Sequence, residues 1–230
     1  MRPVVTASDL DRIAVGGEIG IAADALITPL ARDEAARRGI SFRIVEDTKG
    51  NPIPGATIVP KAAAGAGMDS QGRKIVAIAA DHGGYEMKEK LEEYLKDWGY
   101  AVQDLGTKNT EAVDYPDFAA AAAEAVASGR AWRGVVLDSA GIGSAIAANK
   151  VPGARAALCY DRATARNSRE HNDANILTVG AKLIPLEVAR EILAVWLETP
   201  FGGGRHARRV EKIRAIEAKY SAGKKPGAAS

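Results

Sequence analysis

At 230 residues the chain has room for one large domain, or for one domain with an appendage, and a hydrophobic share of 47% supports a sizeable core. Its 31 basic and 29 acidic residues leave a formal net charge of +2, which argues against a polyanion-binding surface and so against nucleic acid as a partner. A single cysteine, Cys159, excludes an internal disulfide; no run of ~18 uninterrupted apolar residues and no basic-then-apolar opening occurs, so the expectation is a cytoplasmic chain with no membrane span.

Residues 1–45 read as a small α/β extension. Thr6-x-x-Asp9 has the form of a capping box and opens a short helix that ends before Gly16-Gly17. Thr28-Pro29 starts a second helix, with Gly39 just past its end, and residues 40–45 read as a strand. The run from Ala23 to Ile44 resembles an N-terminal segment of certain bacterial microcompartment enzymes, the corrinoid adenosyltransferases of ethanolamine utilisation. That resemblance implies an association module that docks on shell or cargo proteins of a microcompartment; the other reading is an appendage packed on the main domain. Residues 46–72, rich in Gly, Pro and Ala, read as a linker, with a domain boundary near Arg73.

From Lys74 the pattern alternates strand and helix five times. Strands are expected at 74–80, 101–105, 135–137, 154–159 and 176–179, and helices up to Gly99, at 118–127, after Gly143, at 164–170 and at 185–197. Single helices between strands imply parallel pairing with right-handed crossovers, so the fold class is α/β, a doubly wound, Rossmann-like five-stranded parallel sheet. A last helix, 205–220, and a tail from 221 complete the chain.

Ligands of such sheets bind beyond the carboxyl ends of the strands, where Asp81, His82, Asp138 and the turn Gly141, Ile142, Gly143 are expected to converge. The two glycines let backbone N–H groups approach an anion. His171 and Asn172 lie in a dense polar run, and Arg205 and Arg209 open the last helix, where planar guanidinium groups suit phosphate. Cys159, in an apolar run, reads as a buried thiol.

Five motifs in this order resemble the family of type B ribose-5-phosphate isomerases and galactose-6-phosphate isomerase subunits. They are Asp-His-Gly-Gly at 81–84, Val-Asp-Tyr-Pro-Asp-Phe-Ala at 113–119, Gly-Ile-Gly-Ser-Ala-Ile-Ala-Ala-Asn-Lys at 141–150, His-Asn-Asp-Ala-Asn at 171–175 and Gly-Gly-Arg-His-Ala-Arg-Arg-Val at 203–210. The resemblance implies an isomerase of phosphorylated sugars, ribose 5-phosphate to ribulose 5-phosphate first among them. It implies no metal and no cofactor, and a homodimer or homotetramer whose sites are shared between subunits. It further implies that His171 assists ring opening and that Asp81 and Asn172 hold sugar hydroxyls. The 141–143 turn then receives the enediolate, and His82, Arg205 and Arg209 hold phosphate. Tyr115 lines the pocket, and Lys182 stands where an arginine is expected, keeping the charge without the planar fork.

One segment departs from the family. Many members carry Cys-Gly-Thr-Gly-Ile-Gly where this chain has Asp138-Ser139-Ala140-Gly141-Ile142-Gly143, and the glutamate of another branch falls at Ser144. The expectation is therefore that the Asp138 carboxylate is the base, with Ser139 supplying the hydroxyl. Two alternatives stand beside it: a catalytically silent phosphosugar-binding or scaffold subunit, and an isomerase of another phosphosugar.

Overall fold

The computed structural model describes residues 3–11, 13, 17–22, 24–44, 59–61 and 67–221. The chain divides into two compact units, Met1–Ala66 and Gly67–Ser230.

The first unit contains β1 (Val4–Val5), α1 (Ala7–Leu10), β2 (Glu18–Ile21), β3 (Leu26–Ile27), α2 (Pro29–Arg38), β4 (Ser41–Ile44) and β5 (Val59–Lys61). Its helices start where their caps predict. The Thr6 N–H donates to Asp9 Oδ2 at 2.7 Å, Ala31 N–H donates to Thr28 Oγ1 at 3.3 Å, and Gly39 ends α2 in the left-handed region at φ 64°. Val5, Leu10, Ile13, Ile19, Ala31, Ala35 and Ile40 form a small core. β1 pairs with β3, and β2 lies between β4 and β5. β5 is a departure from expectation, because it falls in the stretch read as a linker yet pairs antiparallel with β2. Val45, the rest of that linker stretch before Gly67, and residues 222–230 lie outside the described residues.

The second unit begins at Gly67 rather than near Arg73. Asp69 Oδ1 accepts from the N–H groups of Gln71 at 2.9 Å and Arg73 at 2.8 Å, which closes a turn that sets Met68 beside Lys74. There follow β6 (Ile75–Ala80), α3 (Tyr85–Asp97), β7 (Ala101–Asp104), α4 (Tyr115–Ala127), β8 (Arg133–Asp138), α5 (Ile142–Ala148), β9 (Ala156–Leu158), α6 (Arg162–Asn172), β10 (Ile176–Gly180), α7 (Leu186–Glu198) and α8 (Gly204–Ser221). The strands form one parallel sheet in the order β7-β6-β8-β10-β9.

Alternate strand residues face opposite layers, and both faces are covered. Val76, Ile78, Val135, Leu137, Leu177 and Val179 pack with Leu91 and Leu95 of α3 and Ile192, Leu193 and Trp196 of α7. Ala79, Val136 and Ile176 pack with Ala119, Ala122 and Ala123 of α4 and Ala148 of α5. The connections from β6 run first to β7 on one side and then to β8 on the other, so the switch point lies between the carboxyl ends of β6 and β8. α6 is longer at both ends than its periodicity predicts: Asp161 caps its start by accepting from Thr164 N–H at 2.7 Å, and Asp173, in the left-handed region at φ 47°, ends it. His171 and Asn172 therefore close a helix. No helix among the described residues is long and apolar enough to cross a membrane.

Candidate active site

Asp81 and Asp138 follow paired residues, Ala80 and Leu137, at the switch point. Each is nearly buried, at 6% and 5% exposure, and each bends back on the turn that follows it. Asp81 Oδ1 accepts from Gly83 N–H at 2.8 Å and Gly84 N–H at 3.0 Å. Asp138 Oδ1 accepts from the same two relative positions, Ala140 N–H at 2.8 Å and Gly141 N–H. Their second oxygens differ. Asp138 Oδ2 accepts from Ser144 N–H at 3.0 Å and from the Ser144 hydroxyl at 2.5 Å, whereas Asp81 Oδ2 accepts no hydrogen bond among the described residues.

These bonds weigh against the expectation that Asp138 is the base. A carboxylate oxygen offers two in-plane lone pairs, and both oxygens of Asp138 have two donors each. The carboxylate holds the turn together and presents no free lone pair to a substrate. The anion hole is altered by the same bonds, since the Gly141 N–H is spent on Asp138. The N–H groups of Ile142 and Gly143, first in α5, receive no carbonyl among the described residues and stay open.

Glycine is required twice here. Gly141 has φ 77°, and a Cβ there would stand 2.5 Å from Leu158 Cδ1. A Cβ on Gly143 would stand 2.5 Å from the Tyr115 ring, so Tyr115, at the start of α4, lies directly against the turn. Ser139 is also present: a Cβ on Gly83 would stand 2.3 Å from Ser139 Oγ. Lys182 N–H donates to the Ser139 carbonyl at 3.0 Å, which brings the exposed Lys182 to the same edge. Val113 N–H donates to His82 Nδ1 at 3.3 Å, so the neutral imidazole carries its proton on Nε2.

The remaining predicted residues are not brought to this edge. α6 returns from the carboxyl end of β9 to the amino end of β10, so His171 and Asn172 lie at the amino edge of the sheet. The segment before α8 is pinned there by Gly202 N–H, which donates to the Glu170 carbonyl at 2.9 Å. His206 stacks on His171 with ring centroids 4.1 Å apart, and Arg205 and Arg209 flank it, exposed and without an ion pair among the described residues. β10 alone, at five residues, puts about 16 Å between the two edges.

Three residues have supporting roles that sequence reasoning did not reach. Ser144 is fully buried and holds Asp138. The Asn167 amide nitrogen donates to His171 Nδ1 at 2.8 Å, a contact that i, i+4 spacing on a helix announces. Lys88 is fully buried, with Nζ 2.7 Å from Glu89, 3.3 Å from Glu92 and 3.0 Å from Asp104. It thereby fills with its own ammonium the one group of three carboxylates that could hold a metal among the described residues. Cys159 is buried, as its apolar run predicts, and burial pushes its thiol up to about 11.

A doubly wound sheet carrying an open carboxylate oxygen, a hydroxyl and open N–H groups at its switch point, with imidazole and guanidinium groups at the other edge, defines an α/β enzyme suited to anionic, hydroxylated substrates. The model of the Ribose/Galactose Isomerase family matches residues 76–213. The ribose-5-phosphate isomerase B of Escherichia coli is 42% identical over 144 residues, 63% of this chain and 97% of its own. The D-erythrulose-4-phosphate isomerase of Pectobacterium atrosepticum is 41% identical over 143 residues, 62% of this chain and 94% of its own. The structure of the Clostridium thermocellum ribose-5-phosphate isomerase B, 53% identical, superposes with a TM-score of 0.63 over 64% of this chain and 99% of that one. The chain belongs to the Ribose/Galactose Isomerase family. It is an aldose–ketose isomerase of sugar phosphates.

Proposed function

We propose that the chain interconverts ribose 5-phosphate and ribulose 5-phosphate through an enediolate, in a site completed by a second copy. The observation that carries this reading is the division of the predicted residues between two edges of one sheet. Asp81, His82, Ser139, Tyr115 and the open N–H groups at 142 and 143 form the reacting half at the carboxyl edge. His171, Asn172, Arg205 and Arg209 form a ring-opening and phosphate-holding half at the amino edge. A pentose phosphate is much shorter than the distance between them, so a second chain must bring its amino edge to the first chain's carboxyl edge.

Deuterium exchange tests the substrate. With ribose 5-phosphate or ribulose 5-phosphate in heavy water, the protein should place deuterium on the carbon beside the carbonyl while interconverting the two sugars, as read by NMR. Saturable binding without exchange would favour a silent phosphosugar-binding subunit, a reading that the fully engaged Asp138 supports. No exchange and no binding would point to another phosphosugar, and D-erythrulose 4-phosphate is the next to try because a relative 41% identical acts on it.

Residues 1–45 serve in this proposal as an association module for a microcompartment. Support comes from their own apolar core and their resemblance to such segments. Deleting residues 1–66 should leave isomerisation intact and abolish co-purification with shell or cargo proteins; co-purification of the shortened chain would sink the module.

A further inference from the structure

We propose that Asp81, through its Oδ2, is the base that carries the proton between the two carbons; the inference rests on the isomerase reading above. The two strand-end aspartates are built alike, each with Oδ1 tied to N–H groups two and three residues on. They differ in the one respect that acid–base chemistry needs, because Ser144 occupies the second oxygen of Asp138 and nothing among the described residues occupies that of Asp81. The free oxygen belongs to a residue more than nine-tenths buried, at the switch point of the sheet.

Its surroundings suit the task. Oδ1 is held rigidly by Gly83 and Gly84, so Oδ2 is fixed in direction at no further cost. A Cβ on Gly83 would stand 2.3 Å from Ser139 Oγ and 3.2 Å from Asp81 Oδ1, so it is glycine here that lets the Ser139 hydroxyl pack against the Asp81 turn. Ser139 belongs to the turn whose Ile142 and Gly143 N–H groups remain unpaired among the described residues.

In the step, the C–H bond on the carbon beside the carbonyl breaks. Its electron pair forms the carbon–carbon double bond of the enediolate, the carbonyl oxygen takes the negative charge, and the proton forms an O–H bond on Asp81 Oδ2. In the return, the double-bond pair takes that proton at the neighbouring carbon. The Ser139 hydroxyl meanwhile gives a proton to one substrate oxygen and receives one from the other, so both residues end as they began and nothing is oxidised or reduced overall.

The test uses the full chain and three variants. Asp81→Asn keeps an oxygen for Gly83 and Gly84 and replaces only the free one. It should lower deuterium exchange by about 10²–10⁴-fold while ribitol 5-phosphate, which has no carbonyl and cannot react, binds as to the unaltered chain. Asp81→Glu should restore part of the loss. Exchange by Asp81→Asn within tenfold of the unaltered chain overturns the proposal, and so does an Asp138→Asn variant that loses exchange while keeping its melting temperature and its ribitol 5-phosphate binding. Bromohydroxyacetone phosphate offers a second readout on the unaltered chain: its C–Br bond should give way to an ester on Asp81, found by mass spectrometry, and a label on Asp138, or none on Asp81, counts against the assignment. Absence of exchange by the unaltered chain on every phosphosugar tried removes the isomerase reading and this proposal together, whereas exchange that survives in Asp81→Asn removes this proposal alone.

Discussion

The imidazole of His171 lies flat on that of His206, with ring centroids 4.1 Å apart and planes 6° from parallel. Burial first, then the charges of His171, Arg205 and Arg209, hold His206 below the usual histidine value of 6.5. A basic group lowered on folding binds its proton more readily in the unfolded chain, so its effect on stability is absent above about 6.5 and becomes destabilising as pH falls through that value. An NMR titration should find the His206 midpoint below 6.5, moving up toward it in His171→Asn; an unmoved midpoint would mean that the stack carries no charge coupling.

Ser144→Ala removes the 2.5 Å hydroxyl bond to the buried Asp138 carboxylate. A hydrogen bond to a charged group contributes roughly 1.5–3 kcal/mol, and urea unfolding should register a loss of that order. Turnover should fall far less than in Asp81→Asn, since Ser144 supports the turn and touches no substrate in this reading.

Cys159 should be chemically quiet. With its thiol at about 11 and buried beside Ser168, iodoacetamide should leave it unmodified at pH 8 in the folded chain and label it in urea. Cys159→Ala should isomerise at an unchanged rate, which sets this chain apart from family members whose base is a cysteine.

Burial favours neutral Lys88, but the carboxylates of Glu89, Asp104 and Glu92 outweigh it and raise its affinity for the proton. Removing one partner of a buried ion pair costs about 3–5 kcal/mol, so Lys88→Met should be among the most destabilising single changes in the second unit. Asp104 titrates below its usual 3.8: burial alone would raise it, but Lys108, the Gly106 N–H and Lys88 together hold it down. Its folded value being the lower one, it contributes fully above about 3.8 and loses that contribution as pH falls further. Acid unfolding followed by circular dichroism should therefore begin earlier in pH descent for the Asp104→Asn variant.

Much of the fold is written locally in the sequence. Thr28-Pro29 and Gly39 bracket α2 through their own backbone preferences, and the β6, β8 and β10 runs alternate between two apolar layers. β5 was not legible, because Val-Pro-Lys inside a Gly/Pro-rich stretch gives no strand signal; its proline is tolerated because β5 lies at an edge, paired among the described residues with β2 alone. Within the site, the strand-end positions of Asp81 and Asp138 follow from the alternating pattern, but the direction of each carboxylate does not. The Asp138 side chain turns inward because the folded turn brings the Ser144 N–H and hydroxyl to it, six residues on, a meeting that no periodicity announces. The separation of His171 from Asp81 was implicit in the alternation, since a helix that returns antiparallel to its strand ends at the far edge.

That separation has a genetic consequence. A chain crippled at Asp81 still owns an intact amino edge, and one crippled at His171 still owns an intact carboxyl edge. Mixed and allowed to exchange subunits, two such inactive chains should regain isomerisation, while a chain carrying both changes should lend no site to either. Sharing of this kind also ties turnover to protein concentration, so that dilution below the dissociation constant of the pair should silence each chain without unfolding it. In the shared-site proposal, the direction in which one five-residue strand runs thus makes catalysis a property of the pair.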